Sequence, residues 1–453
     1  MVTVYIPAKN GAKYIRFAID SVLVQTMQDF ELILIDDGST DGTLDIMKEY
    51  DWDSRFRIMR FEESKGLPYC ANTALKLAQR KYIIRLDCDD LLDENALLVM
   101  SSLLDRRSHV GLVYPDYYKI DSEGRVGEIV RREKINQEWY VYDKAPHGAC
   151  TMFRTDILRQ LDGYDTGFTC QDGLAMWLKF VDRHNPYNIN IPLFYYRKHG
   201  VSLSYDVENV AKERTRIKKE KVDNTKVLGV VMAAQKSIYP KSGALELLND
   251  RPLIDYTIDA AQESCLEHLV VSTPDLAIQE YVAGERQVIV YERPSIDSYF
   301  LNPSVIALNA LERYEEDLDV VCILYSNVPL RKAHHIDEAI YTKYIFKFDS
   351  VITVDEDYSF FYAKGDKGLV PMGRSSRQIR VDREVLFKEN SAVYVASKEV
   401  LEMGTIVGGR VGYTVMPPIE GTKINSEYEY WLAEQWIRRD DVYLSDKRQR
   451  GGL

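Results

Sequence analysis

No apolar run in this 453-residue chain approaches the roughly 20 residues that a membrane-spanning helix needs. The opening Met1-Val-Thr-Val-Tyr-Ile-Pro7 has no basic segment leading into an apolar helix, so it reads as a strand and not as a signal peptide. No two of the six cysteines (Cys70, Cys88, Cys150, Cys170, Cys265, Cys322) form a CxxC pair. A zinc site or a disulfide framework is therefore not expected, and reduced thiols in a cytoplasmic protein fit better. Positive charge is in deficit: 58 Lys and Arg against 70 Asp and Glu leave a net charge of −12. That argues against a general binder of nucleic acid or of acidic membrane.

What is present is globular composition, 45% hydrophobic and 28% charged. The length is about three times that of a typical single domain, so two or more domains are expected. Tyrosine is abundant, 31 against 14 phenylalanines. That suits half-buried strands and clefts, and a sugar-facing surface equally well, so it decides nothing alone.

Residues 1–114 alternate strand and helix. Strands are predicted at Val2–Ile6, Glu31–Ile35, Arg57–Phe61, Tyr82–Leu86 and Val110–Tyr114. Helices are predicted at Lys13–Val24, Thr43–Tyr50, Tyr69–Gln79 and Asn95–Leu104. Such alternation predicts an α/β fold around a parallel sheet covered on both faces. Residues 206–226 form a charged helical linker; Lys212–Lys221 holds six basic and two acidic residues and has little to bury. It reads as a solvated helix, with contact to acidic lipid or a partner as the rival reading. At Val227 the α/β pattern restarts, with strands at Val227–Met232, His268–Ser272, Asp319–Leu324 and Ser350–Val354. Its helices are expected at Leu253–Gln262, Pro303–Tyr314 and Ile336–Tyr344.

Ligands of parallel sheets bind beyond the carboxyl ends of the strands. Two acidic clusters, Asp36-Asp37-Gly38-Ser39 and Asp87-Cys88-Asp89-Asp90, stand there. On an extended segment Asp87 and Asp89 would point the same way and could face one ligand. Mg²⁺ or Mn²⁺ takes one or two carboxylates, with substrate phosphates completing its shell. The bland alternative is an acidic turn. Asp37 could accept from a nucleoside base or ribose, while Ser39 or Asp41 caps the next helix. Further on, Gln171-Asp172-Gly173 opens the amphipathic helix Leu174–Phe180. Asp172 there is either a cap favoured by the helix dipole or a general base for an acceptor hydroxyl.

Together these residues resemble the family-2 glycosyltransferases, which have the GT-A fold of nucleotide-diphospho-sugar transferases. The resemblance starts in "VTVYIPAKNGAKYIRFAIDSVLVQTMQDFELILIDDGSTDGT" and continues through "YIIRLDCDD" and "CQDGLAMWLKF" to "FYYRKHGVSLS", covering about residues 1–205. It implies that Pro7 and Asp37 contact the nucleoside, that Asp87 faces the ribose or metal, and that Asp89 ligates Mn²⁺ or Mg²⁺ on the diphosphate. It also implies that Asp172 is the acceptor base and that His199 lies near the donor phosphates or the metal. One departure stands out: the base motif usually reads Glu-Asp and here reads Gln171-Asp172. His147 and Gly148 are expected to border the acceptor pocket. Trp139, Tyr140 and Tyr142 pack under a loop or stack on a sugar.

Residues 227–453 resemble the cytidylyltransferases that make CMP-sugars, a Rossmann-like α/β group using Mg²⁺ and CTP. The resemblance is carried by "LLNDRPLIDYTIDAA", "ILYSNVPLRKAHHIDEAI", "RQIRVDREVLFKENSAVYVASKEVL" and "GYTVMPPIEGTKINSEYEYWLAEQWI". The family's phosphate loop reads A-R-x-G-S-K. Here Ala234 takes the arginine position, and only Lys236, Ser237 and Lys241 offer replacements. Lys423 and Asn425 stand where that family has an Asp-x-Asp metal pair, and lysine repels a cation. Arg331, Arg377, Gln378 and Asn390 still match a sugar-acid pocket. The resulting expectation is a non-catalytic binding, dimerisation or positioning module; the rival is a bifunctional enzyme whose second half makes a CMP-sugar.

The whole is expected to be a metal-dependent, inverting glycosyltransferase of bacterial-type surface glycan or glycoprotein synthesis. Its donor would be a nucleotide sugar, a UDP-sugar by default, and its acceptor a sugar, lipid-linked or protein hydroxyl. A cytoplasmic location is expected, with peripheral contact at the cytoplasmic membrane face and a homodimer through the second half as further expectations. No nucleic-acid partner is expected.

Overall fold

The computed structural model describes residues 1–132, 148–168, 171–198, 207–222, 225–235, 239–293, 302–316, 318–366, 368–372 and 386–450, with side chains left aside at 207–211 and 440–450. His147, His199, Lys236, Ser237, Arg377 and Gln378, and the aromatics Trp139, Tyr140 and Tyr142, lie outside the described residues. The chain divides into two compact units, Met1–Ile217 and Lys218–Leu453.

The first unit opens with β1 (Val2–Ala8), α1 (Ile15–Leu23), β2 (Phe30–Asp37), α2 (Thr43–Lys48), β3 (Phe56–Phe61), α3 (Leu67–Leu77) and β4 (Tyr82–Arg85). It continues with β5 (Leu91–Leu92), α4 (Ala96–Arg106), β6 (Val110–Ile120), β7 (Val126–Val130), β8 (Met152–Arg154), α5 (Thr155–Gln160), α6 (Asp172–Val181) and β9 (Asn185–Arg197). Helix α7 (Val207–Lys219) contains the division between the units. The sheet runs in the order β3-β2-β1-β4-β8-β6-β9-β5, with β7 beside β6. Strands β3, β2, β1 and β4 are parallel, and every residue of β1, β2 and β4 is buried, as apolar runs covered on both faces must be.

The expected all-parallel sheet is corrected beyond β4. The short β8 slots in between β4 and β6 and runs antiparallel to both. Local periodicity carries no trace of this, because the pairing joins residues about 70 apart to β4 and about 40 apart to β6. The carboxyl ends of β1, β2 and β4 nonetheless share one edge: Tyr5 pairs with Arg85, and Ala8 with Asp36.

The second unit has a seven-stranded mixed sheet. Ile289–Glu292, His268–Thr273, Val227–Met232 and Val320–Tyr325 are parallel in that order. Leu386–Ser397 then runs antiparallel against both Val320–Tyr325 and Ser350–Asp357, and Val411–Val415 closes the edge. Helices Leu253–Gln262, Pro303–Arg313 and Ala333–Phe346 connect them, the second capped where Ser304 N donates to the Asn302 side chain. Among the described residues no helix is long and apolar enough to cross a membrane.

Candidate active site

At the carboxyl edge of the first sheet the loops after β1 and β2 are sewn together. Asn10 N donates to Ser39 Oγ at 2.9 Å, and Thr40 N returns to Asn10 Oδ1 at 2.8 Å. Gly11 N donates to Thr43 Oγ1 at 2.9 Å, and Ala12 N to Asp41 Oδ2 at 3.1 Å. Asp41 also accepts from Thr43 N at 3.0 Å, so it does fasten the start of α2. Pro7 lies buried within β1 beside Ile35.

Asp37, 5% exposed, ends β2 and accepts three bonds from the loop before α3: Ser64 Oγ at 2.7 Å, Lys65 N at 2.6 Å and Gly66 N at 3.0 Å. Gly38 makes this close approach possible. Its φ is +70°, and a Cβ there would stand 2.8 Å from Ser64 N. Asp37 thus holds the loop that flanks the edge, whatever else it contacts.

Beyond β4 the chain turns, with Asp90 N donating to Asp87 O at 3.1 Å. This corrects the extended Asp87-x-Asp89 geometry: the two carboxylates are brought near one another by a tight turn and not by strand alternation. Asp87 turns back toward Arg85, whose Nε stands 2.9 Å from Asp87 Oδ1 at an ion-pair distance outside hydrogen-bond geometry. The other arm of the same guanidinium reaches the start of α6, donating from Nη1 to Asp172 Oδ2 at 2.9 Å. Asp172 is 9% exposed, and its Oδ1 makes no hydrogen bond among the described residues. Gln171, at φ 60°, turns the chain into α6 through a left-handed residue. Leu174, Met176, Trp177 and Phe180 then bury the helix and fix where Asp172 points.

Burial pushes the Asp87 carboxyl up to about 6; Arg85 opposes the shift, and Asp89 and Asp172 add to it. Burial likewise raises Asp90 well above the usual carboxylate range, helped by Asp87 and Asp89. Asp90 Oδ1 accepts from Arg197 N at 2.8 Å, while its Oδ2 is buried without a partner among the described residues. Arg197 also donates from Nε to Asp89 O at 2.8 Å and from Nη1 to Asp121 O at 3.0 Å, tying the end of β9 to the acidic turn. The turn carries three carboxylates within four residues, but among the described residues their oxygens do not converge into a three-ligand group: Asp87 is drawn to Arg85 and Asp90 is held by Arg197 N. Gly148 abuts Arg85: a Cβ at 148 would lie 2.3 Å from Nη2.

The sequence reading did not single out Arg85 or Arg197. A signal existed in the lone charge closing the apolar run Tyr82-Ile-Ile-Arg85-Leu86, because a charge in a buried strand requires a partner.

In the second unit the corresponding edge is cationic. Arg331, 3% exposed, donates from Nη1 to Ala392 O at 2.6 Å and from Nη2 to Thr257 Oγ1 at 2.8 Å. Burial lowers it to about 10, and among the described residues no carboxylate pairs with it. Lys423 holds its ammonium 4.4 Å from the Tyr325 ring centre, and burial lowers its pKa. Asn425 N donates to Glu429 at 2.7 Å, and Asn327 clamps Ile424, donating from Nδ2 to Ile424 O at 3.0 Å and accepting at its backbone carbonyl from Ile424 N at 2.9 Å. Asn390 is buried, accepting from Thr353 Oγ1 at 2.6 Å and donating to Asp355 at 2.9 Å.

His334, His335 and Glu420 bring potential ligand atoms within 4.8 Å of one another. However, His335 Nδ1 accepts from Lys332 N at 3.1 Å, so its proton sits on Nε2, 3.0 Å from Glu420. Lys332 Nζ stands 2.8 Å from the other Glu420 oxygen. With His335 Nδ1 taken up by Lys332 N and Glu420 paired to Lys332, the cluster is an ion-paired helix start.

Residues 3–162 match the family described as "Glycosyl transferase family 2". The chain is 30% identical over 218 residues to the UDP-Glc:alpha-D-GlcNAc-diphosphoundecaprenol beta-1,3-glucosyltransferase WfgD of Escherichia coli, spanning 48% of this chain and 83% of that protein. It is also 30% identical over 220 residues to a chondroitin synthase of Escherichia coli, spanning 47% of this chain and only 31% of that protein. A solved structure of S. aureus TarS 1-349 in complex with UDP-GlcNAc aligns over 85% of this chain and 98% of that chain, at 14% identity and a TM-score of 0.43. The chain belongs to glycosyl transferase family 2, through its first unit. Its enzyme class is accordingly that of the glycosyltransferases.

Proposed function

We propose that the first unit moves a sugar from a nucleotide-sugar donor, a UDP-sugar, to a hydroxyl of a lipid-linked glycan acceptor in surface-polysaccharide synthesis. One observation carries the reading: a single buried guanidinium joins Asp87, in the acidic turn, to Asp172, at the start of α6. Donor-side and acceptor-side carboxylates thereby share one edge.

In this reading Pro7 and Asp37 flank the nucleoside and Asp87 faces the ribose. Asp89 holds Mn²⁺ or Mg²⁺, helped by His199. When bound, the cation supplies charge stabilisation for the departing diphosphate. Asp172 takes the acceptor hydroxyl proton through Oδ1, the oxygen not held by Arg85. His147 and Gly148 border the acceptor. One base and no protein nucleophile make the displacement inverting. The WfgD relative supplies the substrate class, UDP-glucose and a GlcNAc-diphospho-lipid. A cytoplasmic location, at the membrane face where such acceptors present their head groups, completes this reading. The test is UDP release from UDP-glucose with that acceptor and Mn²⁺; a wild-type chain inert across a panel of nucleotide sugars contradicts it.

We further infer that residues 227–453 are a cytidylyltransferase-like module that no longer activates sugars and serves binding, dimerisation or positioning. Support comes from Lys423, whose ammonium stacks on Tyr325 where metal ligands are needed, and from Arg331, whose two Nη atoms are taken up by carbonyls and a hydroxyl. Steady pyrophosphate release from CTP, Mg²⁺ and a sialic acid would overturn this and favour the bifunctional reading.

A further inference from the structure

We infer that Arg85 is a positioning residue for the transfer reaction: its guanidinium fixes the Asp172 carboxylate against the acidic turn. The inference rests on the reading above, in which Asp172 is the base. Arg85 ends β4 and is 6% exposed. Its own carbonyl accepts from Cys150 N at 2.7 Å, so strand and loop hold its backbone. Its side chain spans two elements that are 87 residues apart in sequence, with Nε against Asp87 and Nη1 against Asp172.

The guanidinium is closely surrounded. Gly148 presses on it from one side, where any side chain would collide with Nη2. Behind it, the Tyr5 and Tyr164 hydroxyls line a small cavity together with Ile83, Thr151 and Phe153. Burial raises both phenols, Tyr164 to about 12 and Tyr5 well above its ordinary value. Arg197 serves Asp89 and Asp90 through backbone and carboxylate contacts. Among the described residues, Arg85 is thus the cation that pairs with Asp172.

Geometry matters here more than charge alone. A planar fork can hold two carboxylates in fixed relation, whereas a lysine ammonium at the same place is a single flexible point. Losing the fork lets Asp172 drift relative to the donor side, and misplacement by about 1 Å costs on the order of 100-fold in rate.

The test uses the full chain, with UDP-glucose, a GlcNAc-diphospho-lipid and Mn²⁺, and compares wild type, R85K, R85Q, D172N and R85K/D172N. R85K is expected to lower kcat by roughly 100-fold. Its KM for UDP-glucose should stay within about threefold of wild type, and R85Q should fall at least as far in kcat. On the D172N background the R85K change should nearly vanish, because contacting residues in one network are not additive. Two results overturn the inference alone: R85K and R85Q with near wild-type kcat while D172N is impaired, or an R85K loss that multiplies in full onto D172N. A fully active D172N, or a wild type with no turnover, removes the reading on which the inference rests, and the inference with it. If R85Q does not fold, R85K carries the test, since it retains the buried positive charge.

Discussion

Each unit of this chain ends its central parallel strands at an edge where a ligand is expected, and the two edges carry opposite charge. After β4 the chain places Asp87, Asp89 and Asp90 in one turn, and burial keeps Asp87 and Asp90 raised. After Val320–Tyr325 it places Arg331 and Lys423, both lowered by burial. The first edge gathers carboxylates, and the second contains cations. One of these lies against a ring, and the other gives its Nη atoms to backbone carbonyls and the Thr257 hydroxyl. Similar layering therefore supports different chemistry, and the site, not the sheet, decides which.

The largest expected effect is at the first edge. Asp172→Asn should lower kcat by about 100- to 10,000-fold, the range that general bases contribute, read as UDP release. Unchanged transfer would remove the base from the mechanism. Next, Gly148→Ala forces a methyl to within 2.3 Å of Arg85 Nη2 and must displace it. A loss of roughly 10- to 100-fold in kcat is expected, and full activity would separate Gly148 from Arg85.

The second edge should respond far less. Lys423→Met removes a half-buried cation and should leave sugar transfer within about twofold, since single surface-proximal changes away from a site rarely matter. A large drop in transfer would mean that the two edges work as one catalytic system. The smallest expected effect concerns pH. Burial, with His335 next, lowers His334 to about 4 from the ordinary ~6.5. Across that window the unfolded chain binds the proton and the folded chain does not. Stability should fall as pH drops from about 6.5 toward 4. Thermal scans of wild type and His334→Asn test this; identical pH slopes would show that His334 is not held neutral.

Much of the first edge was legible in the sequence. Asp37, Asp87, Asp89 and Asp172 follow from acidic residues at strand ends and at a helix start, and those ends are set by local periodicity. What joins them was not legible. Arg85 reaches Asp172 across 87 positions, and β8 inserts between β4 and β6 by pairing at a distance. Such contacts are chosen by packing, which no window of neighbouring residues records. At Asp87–Asp90 the acidic turn, the alternative to an extended pair, is what forms, with Asp90 N bonded to Asp87 O and Asp87 drawn to Arg85.

In the second unit, the parallel strands and their connecting helices were legible to within a few residues, as with Leu253–Gln262. The bonding of Arg331 to Ala392 and Thr257 was not, since both partners lie more than 60 residues away.

The central claim is that a divalent cation and a nucleotide meet at the acidic turn. Thermal shift with UDP, with and without Mn²⁺, tests it most directly in wild type and Asp89→Asn. A ligand binding only the folded state at a hundredfold excess over its dissociation constant stabilises by about 2.7 kcal/mol. The account predicts a UDP shift in wild type that requires Mn²⁺ and disappears in Asp89→Asn. An equal UDP shift in both proteins, regardless of Mn²⁺, would contradict it.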